Sequence, residues 1–186
     1  MSIILASKSP RRQALLARIT SDFVVIPSHA EESRVGLPHE QVLTSARSKA
    51  RAVGENHPGI ILGADTVVVL GDRVLGKPRS RDEAAGMLRS LSGHTHVVLT
   101  GLYLWNTARD IEREFCAETD VRFRIISEQE IEWYLASGEY SDKAGAYAIQ
   151  GRAAIFIEEI VGEYTNVMGL PLCQLSRLLR EVGVIF

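Results

Sequence analysis

Ile3-Ile4-Leu5-Ala6-Ser7-Lys8-Ser9-Pro10-Arg11-Arg12-Gln13 carries the chain from a strand into a helix within a few residues. The apolar run Ile3–Ala6 is short and suits a buried strand. Ser9 suits an N-cap, whose hydroxyl accepts a backbone N–H. Pro10 suits the first helical position, where its missing N–H would have had no partner. The helix is expected to run on through Ala14, Leu15, Leu16 and Ile19. Lys8, Arg11 and Arg12 crowd the start of that helix, where the macrodipole is already positive and a cation is disfavoured by ~0.3–1 kcal/mol. Three cations, the hydroxyls of Ser7 and Ser9 and free N–H groups at one point suit a phosphate or polyphosphate anion. The alternative is a surface helix with solvated arginines.

Outward from this stretch, Phe23–Ile26 is expected to be a second strand, closed by Pro27, and the polar segment after it carries Glu31-Glu32. A helix is expected over 40–53, with Val42, Ala46, Ala50 and Val53 on one face. Lys49 projects beside that face, either as a snorkelling lysine or as a cation aimed at a ligand. In Gly59 to Leu70, the apolar runs Ile60-Ile61-Leu62 and Val67-Val68-Val69-Leu70 flank Gly63-Ala64-Asp65-Thr66. An acidic side chain inside such a run needs a partner. Asp65 therefore either satisfies local backbone or serves a metal or a reacting water.

Gly71-Asp72 signals a tight hairpin, and the chain returns through Arg73-Val74-Leu75 to Gly76-Lys77-Pro78. Gly71 to Pro78 is one residue short of a P-loop. Pro78 stands where the metal-binding hydroxyl is needed and no helix opens from the lysine, so the P-loop reading is rejected. Lys77, between Gly and Pro, remains a candidate phosphate contact. Ser80 with Glu83 and Ser127 with Glu130 have capping-box spacing, for helices ending near Leu91 and before Gly138. His94 and His96 alternate along the next strand without a third zinc ligand in sight. Long strands are expected over 94–105 and 115–126, with Val121, Phe123 and Ile125 alternating against Arg122 and Arg124. Asp142 to Arg152 is crowded with small residues that permit close approach. A last strand is expected over 153–160, and Pro171 is expected to open a closing helix with a packing stripe of Leu172, Leu175, Leu178, Leu179 and Val182.

Composition sets the limits. The 186 residues suit one sizeable domain or one domain of two lobes. A net charge of −2 argues against a general nucleic-acid or membrane-surface binder. No apolar run is long enough to span a bilayer, and no signal peptide is apparent. Cys116 and Cys173 have no metal spacing, which points to a reduced, cytoplasmic setting. Of the 21 basic residues only Lys8, Lys49, Lys77 and Lys143 are lysines, a weak pointer to point-charge tasks such as holding a phosphate oxygen.

Taken in order, these blocks resemble the Maf family of nucleoside triphosphate pyrophosphatases. The resemblance is carried by Ser7-Lys8-Ser9-Pro10-Arg11-Arg12, Glu31-Glu32, Lys49, Gly63-Ala64-Asp65-Thr66 and Gly76-Lys77-Pro78. It continues through Lys143-Ala144-Gly145-Ala146-Tyr147, Ile149-Gln150-Gly151 and Gly169-Leu170-Pro171, nearly end to end. It implies a single domain over 1–186 with an α/β fold related to the inosine triphosphatases. That fold is an elongated mixed sheet flanked by helices, with two lobes around a central cleft, often as a homodimer. It also implies hydrolysis of a nucleoside triphosphate to the monophosphate and pyrophosphate with a divalent metal, whether Mg, Mn or Co, as a means of removing non-standard nucleotides.

Within that resemblance, Arg12, Lys49, Lys77 and the first helix terminus neutralise the triphosphate. Glu32 and Asp65 are the oxygen ligands for the metal, and Asp65 is also the proton acceptor for the attacking water. Ser7 and Ser9 fall among the substrate-binding positions. Arg11, Thr66 and Gln150 match positions that divide the family, and they resemble the branch acting on dTTP and UTP, with CTP or modified pyrimidine nucleotides as further candidates. The branch that prefers methylated guanine nucleotides carries Trp after its Ser-Pro. Lys8 departs from the pattern, since relatives often have a small residue there. Two alternatives stay open: a nucleotide-binding regulator of septum formation and cell division with weak catalysis, and an enzyme of the same fold acting on damaged purines.

Overall fold

Two short strands and a long one, all parallel, open the architecture. The structure, a computed structural model that describes residues 2–184, pairs β1 (Ile3–Leu5) with β2 (Phe23–Val25) on one side and with β3 (Ile60–Leu70) on the other. The crossovers are α1 (Pro10–Leu16) and α2 (Pro38–Gly54). Parallel neighbours need such helical crossovers, and the near-continuous apolar composition of β1 and of Ile60–Leu62 fits strands buried on both faces. The chain continues through β4 (Arg73–Leu75), α3 (Arg81–Leu91), β5 (Thr95–Asn106), β6 (Ile111–Phe123), α4 (Glu128–Leu135), β7 (Ile157–Val161), α5 (Tyr164–Val167) and α6 (Leu172–Glu181). The result is a seven-stranded mixed sheet of order β2-β1-β3-β5-β6-β7, with β4 hairpinned antiparallel onto β3 and β7 antiparallel to β6.

The chain divides into two compact units. The first holds the residues up to Thr66, Leu99–Ala117 and those from Gly169 on; the second holds Val67–Val98 and Glu118–Met168. In the first, Ala46, Ala50 and Val53 of α2 pack on Ile4, Ala6, Ile61 and Tyr103. The helix comes this close because two strand positions lack a side chain. A Cβ on Gly63 of β3 would lie 2.0 Å from the carbonyl oxygen of Ala46, and one on Gly101 of β5 would lie 2.4 Å from that of Val42. In the second unit, α3 packs against α4. Val68, Leu75, Leu88, Phe123, Ile131, Tyr134 and Phe156 form its core.

Several boundaries differ from the sequence-based expectation. α1 stops at Leu16, and Ile19 lies in tight turns closed by Arg18 N–H to Leu15 O and Ile19 N–H to Leu16 O. α2 starts at Pro38, before the expected residue 40, with the Glu40 carboxylate accepting from the Leu37 N–H at 2.9 Å. Ile60–Leu70 is one unbroken strand through Gly63–Thr66. β6 begins at Ile111 and ends at Phe123, so Ile125 lies beyond it and is 82% exposed, not part of the buried alternation. Arg152–Phe156 is a 3-10 turn where a strand was expected, and β7 follows it. The short α5 was not foreseen, and α6 starts at Leu172 with Pro171 as its cap. The caps at Ser9, Ser80 and Ser127 are all present.

Candidate functional site

The β1–α1 turn delivers Ser7, Ser9 and Arg12, each by local rules. Ser9 caps α1, accepting from the Arg12 N–H at 3.4 Å, and Ser7 Oγ accepts from the Ser9 N–H at 3.3 Å. Arg12 then points inward. Its Nε donates to the Gly169 carbonyl at 2.8 Å and its Nη1 to the Ala64 carbonyl at 2.9 Å and Ser7 Oγ at 3.3 Å. Its Nη2 donates to Thr66 Oγ1 at 3.0 Å. Thr66 Oγ1 is in turn hydrogen-bonded to the buried Thr100 hydroxyl at 2.9 Å. Burial lowers the Arg12 pKa, while the nearby Asp65 carboxylate opposes that shift. Every nitrogen of the guanidinium is thus committed to oxygens of the protein, so Arg12 braces β1, β3 and the Gly169 turn. A guanidinium is suited to this because its planar fork presents five fixed donors. Lys8 is exposed and Arg11 half-buried.

The second cluster follows from the glycine at 63. Lys49 lies three residues after Ala46 on α2, and Asp65 lies two residues after Gly63, on the same face of β3. Where the helix backbone meets the strand at Gly63, those two side chains must meet as well. Lys49 Nζ donates to Asp65 Oδ1 at 2.6 Å and to Glu32 Oε1 at 3.0 Å. The Lys49 and Asp65 side chains are only 13% and 8% exposed, whereas Glu32 is 35% exposed and also faces Arg34 Nη2 at 3.6 Å. Burial pushes the Asp65 carboxyl above its ordinary range. Lys49 pulls it back down, and Glu32 pushes it further up. The result is a cation held between two carboxylates, one of them buried and shifted toward the range of a working base.

Lys77 and Gln150 belong to the second unit. Lys77 follows β4 and is exposed, while Pro78 beside it is buried. The hairpin register Leu70 to Arg73 and the start of α3 only at Arg81 support rejection of the P-loop. Gln150 is exposed, in a turn closed by the Gly151 N–H to the Ala148 carbonyl at 3.0 Å. The segment that leads into the Gln150 turn is tied to the residue before Lys77. Gly145 N–H donates to the Gly76 carbonyl at 3.1 Å. Gly145 has φ +68, and a Cβ there would press on Val68 at 3.0 Å, so glycine is needed on both counts.

Sequence reasoning missed Thr100, Arg34, the Gly169 carbonyl and the pair His96–Tyr147. A threonine inside a long strand carries no signal of its own, and Gly169 acts through its backbone. Among the described residues no group of three or more His, Cys, Asp and Glu side chains is placed to hold a metal ion. Nor is any described helix long and apolar enough to cross a membrane.

The Maf-like protein family model matches residues 2–182. The chain is 48% identical over 185 residues to the dTTP/UTP pyrophosphatase of Carboxydothermus hydrogenoformans, covering 98% of this chain and 100% of that one. It is 50% identical to the dTTP/UTP pyrophosphatase of Symbiobacterium thermophilum, over 97% and 94% of the two chains. Among solved structures, a HAM1 protein from Coxiella burnetii superposes with TM-score 0.54 at 18% identity, over 97% of this chain and 99% of that one. The Staphylococcus aureus Ham1 protein gives 0.56 at 12% identity, over 97% and 99%. These two likenesses concern the fold alone.

Proposed function

The chain belongs to the Maf family, and from that premise we propose that it hydrolyses dTTP and UTP to the nucleoside monophosphate and pyrophosphate. The observation that carries this reading is the buried Asp65 carboxylate held at 2.6 Å by Lys49, with Glu32 on the other side of the same ammonium. A protein that only bound nucleotide would gain nothing from burying a carboxylate where a polyanion must come close.

In the proposed reaction Asp65 accepts a proton from water as the water oxygen bonds to the α-phosphorus. The bond from that phosphorus to the bridging oxygen breaks, and pyrophosphate leaves with the electron pair. Lys49 holds the Asp65 carboxylate in place and, with Lys77, offsets the negative charge along the triphosphate. Arg12 keeps Ser7 and Thr66 in register, so its part is positioning. Ser9 and the α1 terminus complete the proposed anion-binding group, and Arg11, Thr66 and Gln150 are the residues proposed to govern base choice.

Glu32 and Asp65 fit a divalent cation. Both are hard oxygen donors, and they converge on the one Lys49 ammonium, so their carboxylates lie near each other. One or two carboxylates together with substrate phosphates and several waters are the usual donor set for Mg. Such an ion, whether Mg, Mn or Co, would supply Lewis-acid stabilisation of the phosphoryl oxygens. Homodimeric assembly and a cytoplasmic setting belong to the same proposal. The test is a panel of common and modified nucleoside triphosphates with separate detection of pyrophosphate and orthophosphate. Pyrophosphate release strongest with dTTP and UTP is expected. Orthophosphate release, or equal rates on purines, would sink the proposal.

A further inference from the structure

Tyr147 stands at the centre of the small-residue segment, three positions before Gln150. It is buried, and its hydroxyl is hydrogen-bonded to Nε2 of His96 on β5 at 2.9 Å. Both rings also meet Phe123 edge-on, with centroids 4.8 Å from Tyr147 and 4.9 Å from His96. His96 is 1% exposed, and its other nitrogen, Nδ1, has no hydrogen-bond partner among the described residues. A buried polar atom without a partner is a standing cost that an apolar side chain would avoid. Histidine at this position therefore makes physical sense only through the bond it does make.

That bond matters because of the backbone it ties down, a segment that also packs on α3 and donates the Ala146 N–H to the Lys143 carbonyl at 3.1 Å. Gly145 and Ala146 are consecutive residues with positive φ, +68 and +62. The left-handed region is unfavourable for alanine, so surrounding contacts must impose it. Tyr147 is the first large side chain after these two and the first able to anchor them. From the anchor the chain runs one way through Ala148 to Gln150. In the other direction Gly145 N–H reaches the Gly76 carbonyl at 3.1 Å, next to Lys77.

We propose that the His96–Tyr147 pair is a positioning pin that sets Gln150 and the Lys77 turn together: neither His96 nor Tyr147 touches substrate, yet both govern its binding. The inference rests on the proposed roles of Lys77 and Gln150. Burial keeps His96 neutral, with its pKa pushed down to about 4, so the pin holds unchanged across the neutral range.

The test compares Tyr147→Phe, His96→Phe, the double variant and His96→Gln, in steady-state kinetics with dTTP and UTP and in thermal melts. Tyr147→Phe keeps the ring packing and loses only the hydroxyl, so it should fold. KM for both nucleotides should rise about tenfold, as expected for loss of one buried hydrogen bond, with kcat changed less than about threefold. His96→Phe should match it, and the double variant should be no worse than either single one, because both remove the same bond. His96→Gln, whose amide reaches a similar point, should restore KM to within about threefold of wild type. A fall in melting temperature with KM unchanged would make the pair an ordinary core brace and overturn the proposal. Gln150→Glu separates the two layers. If that variant keeps its base preference while Tyr147→Phe still raises KM, the pin stands and Gln150 is not the base reader. If base preference changes but Tyr147→Phe leaves KM untouched, the pin is wrong and the base reader is right.

Discussion

Asp65 sets the terms at the scale of single residues, because one side chain carries both the proposed chemistry and an electrostatic burden. Asp65→Asn should keep the fold and lower turnover by ~10²–10⁴-fold, the usual cost of losing a general base. Retention of more than about a third of wild-type activity at saturating Mg or Mn would refute the assignment. Stability should move the other way. The folded protein holds the Asp65 proton more tightly than the unfolded chain, whose carboxyl titrates near 3.8. The contribution of Asp65 is therefore most favourable below that value and declines as pH rises through the raised folded value. The Asn variant lacks this titration, and Lys49 keeps its bond to Glu32. Its melting temperature should equal or exceed that of wild type at pH 7.5, and the difference should shrink toward pH 4. A variant melting several degrees lower at pH 7.5 would mean that the ionised pair stabilises the fold. Lys77 differs, being exposed. Lys77→Ala should leave melting unchanged and cost about tenfold in kcat/KM, the scale of one charged hydrogen bond. Pro78→Ser should confer no release of the γ-phosphate from ATP.

At the scale of elements, the site depends on how closely α2 lies against β3. Gly63→Ala would place a methyl 2.0 Å from the Ala46 carbonyl oxygen. Helix backbone cannot swing away as a flexible side-chain tip can. The substitution should cost at least ~1–3 kcal/mol of stability, and the folded fraction should still lose most activity because Lys49 moves away from Asp65. Melting curves and activity per folded molecule, measured on the same preparation, check both parts. The caps at Ser9, Ser80 and Ser127, the Gly71-Asp72 hairpin and the packing stripe of α6 were all legible in the sequence, since each follows from local chemistry. The ends of β6 and the 3-10 turn at Arg152–Phe156 were not. Ile125 continues an apolar alternation that its strand does not follow, and Ala153–Phe156 has strand composition but packs as a turn. The meeting of Lys49 with Asp65 was legible only as two separate oddities, a lysine beside an apolar face and a carboxylate in an apolar run. Nothing local states that Gly63 brings them together. The commitment of Arg12 to Gly169, 157 residues away in sequence, was likewise out of reach.

For the whole molecule, the division of the chain puts Gln150 in the unit that does not hold the Asp65 cluster. Glu32, Lys49 and Asp65 stand in the first unit, and Gln150 stands in the second, so base choice should change without disturbing the Asp65 cluster. Uracil and thymine present an acceptor, O4, beside a donor, N3–H. A side-chain amide carries one donor and one acceptor and can match that edge with two hydrogen bonds. Guanine presents two adjacent donors, N1–H and the exocyclic amine, which a carboxylate matches better. Gln150 is exposed in its turn, between buried Ile149 and half-buried Gly151, so its amide is available and neither neighbour has a polar side chain to share the task. A mismatched edge costs ~1–3 kcal/mol per unpaired group. Gln150→Glu should therefore lower kcat/KM for dTTP and UTP by about tenfold or more, with a smaller loss, or a gain, for GTP. Because the substituted side chain is exposed, melting temperature should stay within about a degree or two of wild type, as for most surface changes. Parallel losses on dTTP, UTP and GTP would instead mean that Gln150 only braces its turn, and the base reader would then have to be sought at Thr66 or Arg11.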